Sequence, residues 1–330
     1  MTPEMQRNVI YHPHGRGFHP ALERELERRG VRFRKLDDIP DGAPLSDGLA
    51  CSIWFYQPLR HPLSTWTLKR RLARDGVPLV AWNRDAPHYL NRSSRRLDLL
   101  DRARILDVYA THTLVDTKRS FADLVLYLPN AADVERYNPG PDATAALARL
   151  RQPDGYRWDV TFFGGMNGKR YKEDRQRQEF FAALGAKLDA RGITHHFREA
   201  EGMTVEDQIA FIHASRINLN FGARCEYGAA VASGLPERCY GIPACGGFLL
   251  CDRRLHARDD FAVGDNWAEF DGLDDCVAQI EYWLAHFDAA RDLAERCHRH
   301  VMARHTYAHR AATLHDALLR WHRGERGLCK

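Results

Sequence analysis

Short apolar runs alternate with longer charged or amphipathic stretches along most of this 330-residue chain. The runs are short and apolar on both faces, which is typical of strands buried in a parallel sheet. The stretches between them favour helices that pack on the sheet. The sequence therefore predicts an α/β fold with strands near residues 8–11, 49–55, 77–82, 105–110, 124–128, 159–163, 217–221 and 248–250.

The length favours two domains, and residues 138–157, rich in proline, glycine and aspartate, mark the boundary. We expect an N-terminal Rossmann-like acceptor domain over 1–140, a linker over 141–157 and a C-terminal Rossmann-like domain over 158–305. A final helix within 306–330 is expected to pack back on the N-terminal domain. Domains of this kind bind ligands outside the carboxyl ends of their strands, which predicts a cleft between two facing sheets.

The composition argues against a membrane-spanning, a disulfide-bonded and a metal-binding protein. The chain contains no apolar stretch near the ~20 residues of a membrane span and no apolar signal core at its N-terminus. We therefore expect a cytoplasmic protein without a transmembrane segment. The eight cysteines form no Cys-x-x-Cys pair, which favours reduced structural thiols. Adjacent histidines such as His195 and His196 lack a third ligand at motif spacing, so neither a metal site nor a cofactor is expected.

Positive charge is concentrated in residues 60–104, although the formal net charge of the whole chain is only +4. Four aspartates there oppose eleven basic residues: Arg60, Lys69, Arg70, Arg71, Arg74, Arg84, Arg92, Arg95, Arg96, Arg102 and Arg104. One interpretation is solvated helix faces in an arginine-rich protein. The other is a surface for an anionic acceptor or a nucleic acid.

The stretch LPERCYGIPACGGFLLCD, residues 235–252, joins a short helical segment to an apolar strand through a glycine corner. The corner consists of Ala244, Cys245, Gly246 and Gly247. Adjacent glycines permit a tight turn and leave room for a ligand beside main-chain N–H groups. We therefore expect Gly246 and Gly247 to present these groups to an anion, in a helix N-terminus or nest geometry.

Several strings of the second half resemble, in order and spacing, the C-terminal domain of GT-B glycosyltransferases. They are DVTFFGGMNGKR (159–170), SRINLNF (215–221), RCYGIPACGGFLLCD (238–252) and HTYAHR (305–310). The resemblance is greatest to the CgeB-type (spore maturation protein-like) branch, within the glycosyl transferases group 1 family. WNRDAPHY (82–89) and VLYLPNAADVERYNP (125–139) are similar to that branch's N-terminal-domain loop and interdomain segment. Most of the chain from about residue 80 onward is covered.

The resemblance implies a GT-B fold, in which two Rossmann-like βαβ domains face a central cleft. It also implies a hexosyl- or pentosyltransferase that uses a nucleoside-diphosphate sugar, with a UDP-sugar as the expected donor. Transfer is expected to be retaining and metal-independent. The acceptor is not identified: an anionic molecule is one option, and a glycan, a small molecule and a nucleic acid all stay open. Two other functions stay open: a degenerate GT-B protein that binds a nucleotide or glycan without turnover, and a transferase acting on modified bases in DNA, which would require base flipping.

The implied donor site has two elements. In the first, Gly164 and Gly165 admit the diphosphate while Lys169 and Arg170 neutralise it. Breaking the anomeric bond places negative charge on the leaving nucleoside diphosphate, so fixed cations and N–H dipoles are needed there.

The second donor element includes Arg238, Tyr240, Gly241 and the corner residues Cys245, Gly246 and Gly247. The family has a glutamate five residues before the first corner glycine, and its carboxylate holds the ribose hydroxyls. Gly241 occupies that position here, and Glu237, one turn earlier, is the candidate replacement. The departure has three interpretations: a different grip on the nucleotide, a different donor, or a lost activity.

Catalytic and acceptor-side residues are expected on strand-end loops of the N-terminal domain. Asp85 matches the family's acidic loop position, and His14 and His88 are the other catalytic candidates; an N-cap or turn role is the alternative for Asp85. His12, Arg84 and His112 are assigned to the acceptor. The resemblance implies no protein nucleophile, so these groups position and stabilise the reactants.

Overall fold

The computed structural model describes residues 7–13, 17–40, 42–84, 98–99, 101–114, 121–166, 172–222 and 232–325. The chain divides into two compact units. The first comprises residues 1–129 together with 307–330, and the second comprises residues 130–306. The segment 141–157, expected as a linker, lies within the second unit, and the last helix belongs to the first.

The elements alternate along the chain as the apolar pattern predicts. The strands are β1 (Val9–His12), β2 (Arg32–Lys35), β3 (Gly48–Trp54), β4 (Leu79–Asn83), β5 (Leu106–Thr111), β6 (Ala122–Tyr127), β7 (Trp158–Gly164), β8 (His195–Glu199), β9 (Ser215–Asn220), β10 (Leu249–Asp252) and β11 (Ala268–Phe270). The α-helices are α1 (Pro20–Arg28), α2 (Gln57–Arg60), α3 (Pro62–Ala73), α4 (Ala143–Arg149), α5 (Lys172–Asp189), α6 (Val205–His213), α7 (Arg238–Ala244), α8 (Ala257–Asp260), α9 (Gly272–Ala285), α10 (Phe287–Arg304) and α11 (Tyr307–His322). Short 3₁₀ turns lie at Leu36–Asp38 and Pro153–Gly155.

The first unit contains a six-stranded sheet in the order β2-β1-β3-β4-β5-β6. Every pairing in it is parallel. The central strands β3 and β4 are buried almost throughout, which explains why their sequences are apolar on both faces. The last helix completes this unit: α11 packs on α1, and the Tyr307 ring stacks on His19 with centroids 5.0 Å apart.

The second unit contains a five-stranded parallel sheet in the order β11-β10-β9-β7-β8. In both sheets the first strand of the unit lies between the second and the third. The second strand is added on one side of the first and the third on the other, so the strand order reverses there. Ligands of doubly wound sheets bind outside the carboxyl ends of the strands at such a switch point. In the second unit that point lies between the ends of β7 and β9. The α/β prediction is confirmed.

The glycine corner is a helix C-terminus, which corrects the expected ligand-facing geometry. The N–H of Gly246 donates to the Pro243 carbonyl at 2.8 Å, and the N–H of Gly247 donates to the Ile242 carbonyl at 3.0 Å. With Cys245 as the C-cap of α7, this pair of bonds is a Schellman motif, and Gly246 takes the positive φ of 80° that the motif requires. Both N–H groups are therefore consumed within the chain, at the amino end of β10, and neither is presented to an anion.

Packing also requires the two corner glycines. A Cβ on Gly246 would overlap the Leu147 side chain, and one on Gly247 would lie 2.6 Å from Ile212 Cγ2. These close contacts and the positive φ of the turn explain why two adjacent glycines stand at this point of the sequence.

We predict that Gly246→Ala lowers the free energy of unfolding by about 2–4 kcal/mol, because it adds overlap with Leu147 to the strain of a positive φ. Gly264→Ala is the matched control, since Gly264 has a φ of 86° with no atom within 4 Å of an added Cβ. That control should cost about 1 kcal/mol. Urea unfolding of the two variants measures the difference, and equal losses would contradict the packing argument.

Candidate functional site

A cavity of about 340 Å³ lies in the second unit at the carboxyl ends of β7 and β8. Its volume is in the range of small-molecule sites. It is lined by Asp133, Tyr137, Phe163, Gly164, Ala200, Gln208, Ile212, Pro236, Glu237, Arg238, Gly241 and Ile242. Apolar walls thus combine with a few charged and polar groups, as in sites that orient an organic ligand.

Arg238 is the cation of this cavity. Its Nη1 donates to the Phe163 carbonyl at 2.7 Å, and its guanidinium lies over the Phe162 ring at 5.0 Å. Among the described residues, no carboxylate lies within ion-pair distance of it. Burial lowers the pKa of the guanidinium, but an arginine stays protonated in proteins. A half-buried positive charge that no described carboxylate pairs favours binding of an anion.

Gly164 has to be a glycine because the Arg238 side chain crosses it. A Cβ on Gly164 would lie 2.5 Å from Arg238 Nη1 and 2.7 Å from Phe162 Cζ. The sequence assigned Gly164 to a diphosphate site, and the structure places it in the lining of the cavity beside the guanidinium.

A second arginine, Arg177 of α5, holds the ends of β7 and β9 together. Its Nη1 donates to the Gly165 carbonyl at 2.6 Å, its Nη2 to the Gly222 carbonyl at 2.6 Å and its Nε to the Phe221 carbonyl at 3.0 Å. Its side chain is 5% exposed. Sequence reasoning missed this residue, because nothing local distinguishes it from the other arginines and lysines of a charged helix.

The two arginines share one aromatic ring. The guanidinium of Arg177 lies 5.5 Å from the Phe162 ring centroid and that of Arg238 lies 5.0 Å from it. Phe162 in turn packs on Phe181 with centroids 4.2 Å apart. Attraction between a cation and an aromatic face partly offsets the cost of burying two positive charges near each other.

Gly241 and Glu237 both line the cavity from α7. The nearest atom to a Cβ added at Gly241 would be Tyr137 Cγ at 3.7 Å, which is an ordinary van der Waals distance. Gly241 has no positive φ. Nothing in its surroundings therefore requires glycine, and Glu237, the N-cap of α7, supplies a carboxylate one turn earlier.

Two polar residues of the cavity lining, Tyr137 and Gln208, are hydrogen-bonded to each other. The Tyr137 hydroxyl donates to Gln208 Oε1 at 2.7 Å, and burial raises the pKa of that hydroxyl. Gln208 Nε2 donates to the Met203 carbonyl at 3.4 Å. Each side chain is thus oriented before a ligand arrives, and neither was identified from the sequence.

Two residues assigned to the donor lie in the core instead of the cavity lining. Tyr240 is fully buried and its hydroxyl donates to Asp260 Oδ2 at 2.5 Å. Cys245 is fully buried, and burial raises the pKa of its thiol to about 12. Both side chains stabilise the second unit below the site.

A buried ion pair supports the neighbouring strand ends. Arg254 binds Asp252 through Nε to Oδ1 at 3.0 Å and Nη2 to Oδ2 at 2.9 Å. The same carboxylate accepts from Asn220 Nδ2 at 2.7 Å and from the Gly222 N–H at 3.0 Å. This network fixes the ends of β9 and β10, and Gly222 links it to Arg177.

The acceptor-side candidates within the described residues lie in the first unit. His12 ends β1, and burial together with Lys35 lowers its pKa. Arg84 follows β4, with its guanidinium 5.5 Å from the Trp82 ring, and His112 follows β5 with 2% exposure. All three lie at carboxyl ends of parallel strands, where ligand sites form. The candidates Asp85, His14, His88, Lys169 and Arg170 lie outside the described residues.

The described residues contain neither a cluster of metal ligands nor a membrane-spanning helix. No group of three histidine, cysteine, aspartate or glutamate side chains there is arranged to hold a metal ion. No helix of the described ranges is long and apolar enough to cross a membrane.

We predict that Arg177→Met lowers the free energy of unfolding of the second unit by about 2–4 kcal/mol, because three half-buried carbonyls lose a charged donor. Arg175→Met on the same helix is the control: Arg175 is exposed, pairs with Glu179 at 3.1 Å, and should change stability by less than about 0.5 kcal/mol. Urea unfolding measures the stability of both variants, and native-state hydrogen exchange measures the protection of the amides in β7 and β9. Equal protection in the two variants would contradict the role of Arg177.

Comparison with known proteins agrees with this architecture. A family model described as glycosyl transferase-like matches residues 144–316. No curated protein matches the chain.

Solved structures with the same fold extend over nearly the whole chain. Sucrose-phosphate synthase from Thermosynechococcus elongatus is similar with a TM-score of 0.59 and 11% identity, over 97% of this chain and 100% of that one. Anabaena HepE in complex with UDP is similar with a TM-score of 0.56 and 9% identity, over 94% of this chain and 99% of that one. The UDP-forming α,α-trehalose-phosphate synthase from Burkholderia vietnamiensis has a TM-score of 0.55 and 11% identity, over 97% and 99%. The two-unit α/β fold is thus the GT-B fold.

Proposed function

Because the chain belongs to the glycosyl transferase-like family, we propose that it transfers a sugar from a nucleoside-diphosphate sugar held in the cavity of the second unit. The observation that carries the proposal is the guanidinium of Arg238, which faces this cavity without a paired carboxylate among the described residues. A diphosphate is the anion whose charge increases as a glycosyl bond breaks, so a fixed cation beside it lowers the barrier.

The remaining lining residues suit the other parts of a nucleotide. Glu237 offers a carboxylate that can accept from ribose hydroxyls, in place of the side chain that Gly241 lacks. The apolar residues Phe163, Ala200 and Ile212 offer a surface for a planar base. The rigid Tyr137–Gln208 pair offers fixed polar groups that can read the edge of such a base.

We propose a UDP-sugar as the donor. Structures of the similar Anabaena protein HepE contain UDP in one case and UDP-glucose in another. The proposal also includes retention of the anomeric configuration and independence from a metal ion, with Arg238, Lys169 and Arg170 as the cations that balance the diphosphate. Asp85, His14 and His88 are proposed as the catalytic groups.

The proposed acceptor is anionic and binds the first unit near His12, Arg84 and His112. Both histidines follow parallel strands at their carboxyl ends, and Arg84 adds a positive charge to that edge of the sheet. Positive charge near a binding site raises the local concentration of an anionic reactant.

We predict that wild-type protein binds UDP and that Arg238→Met weakens this binding about 10- to 100-fold, since a charged hydrogen bond contributes about 1.5–3 kcal/mol. Arg253→Met is the control, because Arg253 is exposed and pairs with Asp271 at 3.2 Å outside the cavity lining. Titration calorimetry measures both affinities, and turnover is assayed with UDP-, GDP- and dTDP-sugars. Absence of binding and of turnover with every nucleotide would overturn the proposal.

A second candidate function is binding without turnover, and Gly241 is the observation that favours it. The cavity lacks the family carboxylate at a position with room for a side chain. A protein that had lost its grip on ribose would retain the fold and the cation while losing the orientation that catalysis needs.

Gly241→Glu separates the two candidates, and Gly241→Ala controls for the added Cβ and for helix propensity. If Glu237 replaces the missing carboxylate, wild-type protein turns over a donor and Gly241→Glu changes the donor KM by less than about ten-fold. If the protein is degenerate, only Gly241→Glu binds a nucleotide sugar. Measurable wild-type turnover excludes the degenerate function.

A further inference from the structure

Helix α3 exposes a stripe that combines apolar and basic side chains. The stripe, here called the α3 face, consists of Leu63, Trp66, Thr67, Arg70 and Arg74. These positions are three or four residues apart and therefore share one side of the helix. Leu63 is 80% exposed and Trp66 is 48% exposed, whereas Thr65 and Leu72 on the opposite side are buried.

The basic side chains of α3 divide into two groups, those that turn inward and those that are exposed. Lys69 pairs with Asp107 at 3.1 Å, and Arg71 lies 3.4 Å from the carbonyls of Ile39 and Pro40, so both turn inward. Arg70 and Arg74 are exposed, and Arg70 lies 4.8 Å from the Trp66 ring.

The residues just before α3 are also basic and aromatic. Arg60 is exposed and lies 4.8 Å from the Trp54 ring. Residues 56–74 contain five basic residues and no acidic one. The hydroxyl of Thr67 donates to the Leu63 carbonyl at 3.0 Å, so this hydroxyl already has a hydrogen-bond partner within the helix.

We propose that the α3 face is a docking surface for an anionic lipid bilayer. Exposed leucine and tryptophan beside arginines are the composition of helices that lie in the membrane interface. Tryptophan favours the headgroup level of a bilayer, and arginine extends its charge to the phosphates while its stem covers apolar surface. The lack of acidic residues gives the surface a charge complementary to anionic headgroups.

The apolar part of the face favours a bilayer over a nucleic acid. Arginines and an exposed tryptophan suit a phosphate backbone and a stacked base equally well. Leu63, however, is the most exposed of the large apolar residues described, and a polyanion would leave it in water or against phosphates. A bilayer removes it from water, so only the bilayer uses every residue of the stripe.

Vesicle sedimentation tests the proposal on the full chain. The vesicles contain phosphatidylcholine alone or with about 30 mol% phosphatidylglycerol. We expect the bound fraction to be at least ten-fold larger on the anionic vesicles and to fall as salt rises from about 0.05 to 0.5 M. Leu63→Ser with Trp66→Ser, and Arg70→Gln with Arg74→Gln, should each weaken binding by about ten-fold or more.

A matched control replaces the same residue types elsewhere: Leu255→Ser with Arg299→Gln, at sites that are 51% and 68% exposed. It should bind vesicles as wild type does. UDP affinity should be the same in all variants, so the outcome is independent of the proposed donor site. Quenching of tryptophan fluorescence by brominated lipid, absent in Trp66→Phe, reports insertion.

Two outcomes would overturn the proposal. One is equal binding of wild-type protein to neutral and anionic vesicles, or undiminished binding of the Leu63/Trp66 variant. The other is retardation of duplex DNA that is lost in the Arg70/Arg74 variant but kept in the Leu63/Trp66 variant, without vesicle binding. That result would assign the surface to a nucleic acid.

Discussion

Three backbone carbonyls, from the segments that follow β7 and β9, converge on the guanidinium of Arg177. Loops at the carboxyl ends of parallel strands have few partners of their own, because their carbonyls point away from the sheet. Arg177 satisfies three of these groups at the place where the winding of the sheet reverses. Gly222 continues the connection to Asp252 and thus to Arg254. Side-chain hydrogen bonds therefore link the ends of β7, β9 and β10 next to Gly164, which lines the candidate site.

The same strand end concentrates positive charge. The Phe162 ring contacts both the guanidinium of Arg177, which is occupied by carbonyls, and that of Arg238, which lines the cavity. Gly164 permits the approach of Arg238, because a side chain there would displace it. One arginine thus shapes the site while the other supplies charge to it. The first unit contributes a different property, a basic and apolar helix face on α3, so the proposed donor site and the proposed docking surface belong to separate units.

Sequence patterns predicted most of the strands, the parallel sheets and the position of Gly164 at the end of the first strand of the second unit, but they missed the short outer strands β2 and β11. They were wrong about the N–H groups of Gly246 and Gly247, since a glycine pair before a strand has the same letters in a helix C-cap as in an anion-binding loop. They also placed Tyr240 in the site, although its hydroxyl binds Asp260 in the core. Arg177, Tyr137 and Gln208 were missed because their partners are far away in the chain and no local signal marks them.

The sequence by itself determined the fold class, because alternation of apolar and amphipathic segments is a local property that sets which faces can be buried. By resemblance it also led to the expectation of a donor-site carboxylate at position 241, where this chain has glycine. Only the tertiary structure decided that Gly241 has room for a side chain, that Gly246 is required by its turn and by Leu147, and that Arg238 faces a cavity. These properties depend on distances between residues remote in the chain, and the packing of the folded protein is what sets those distances.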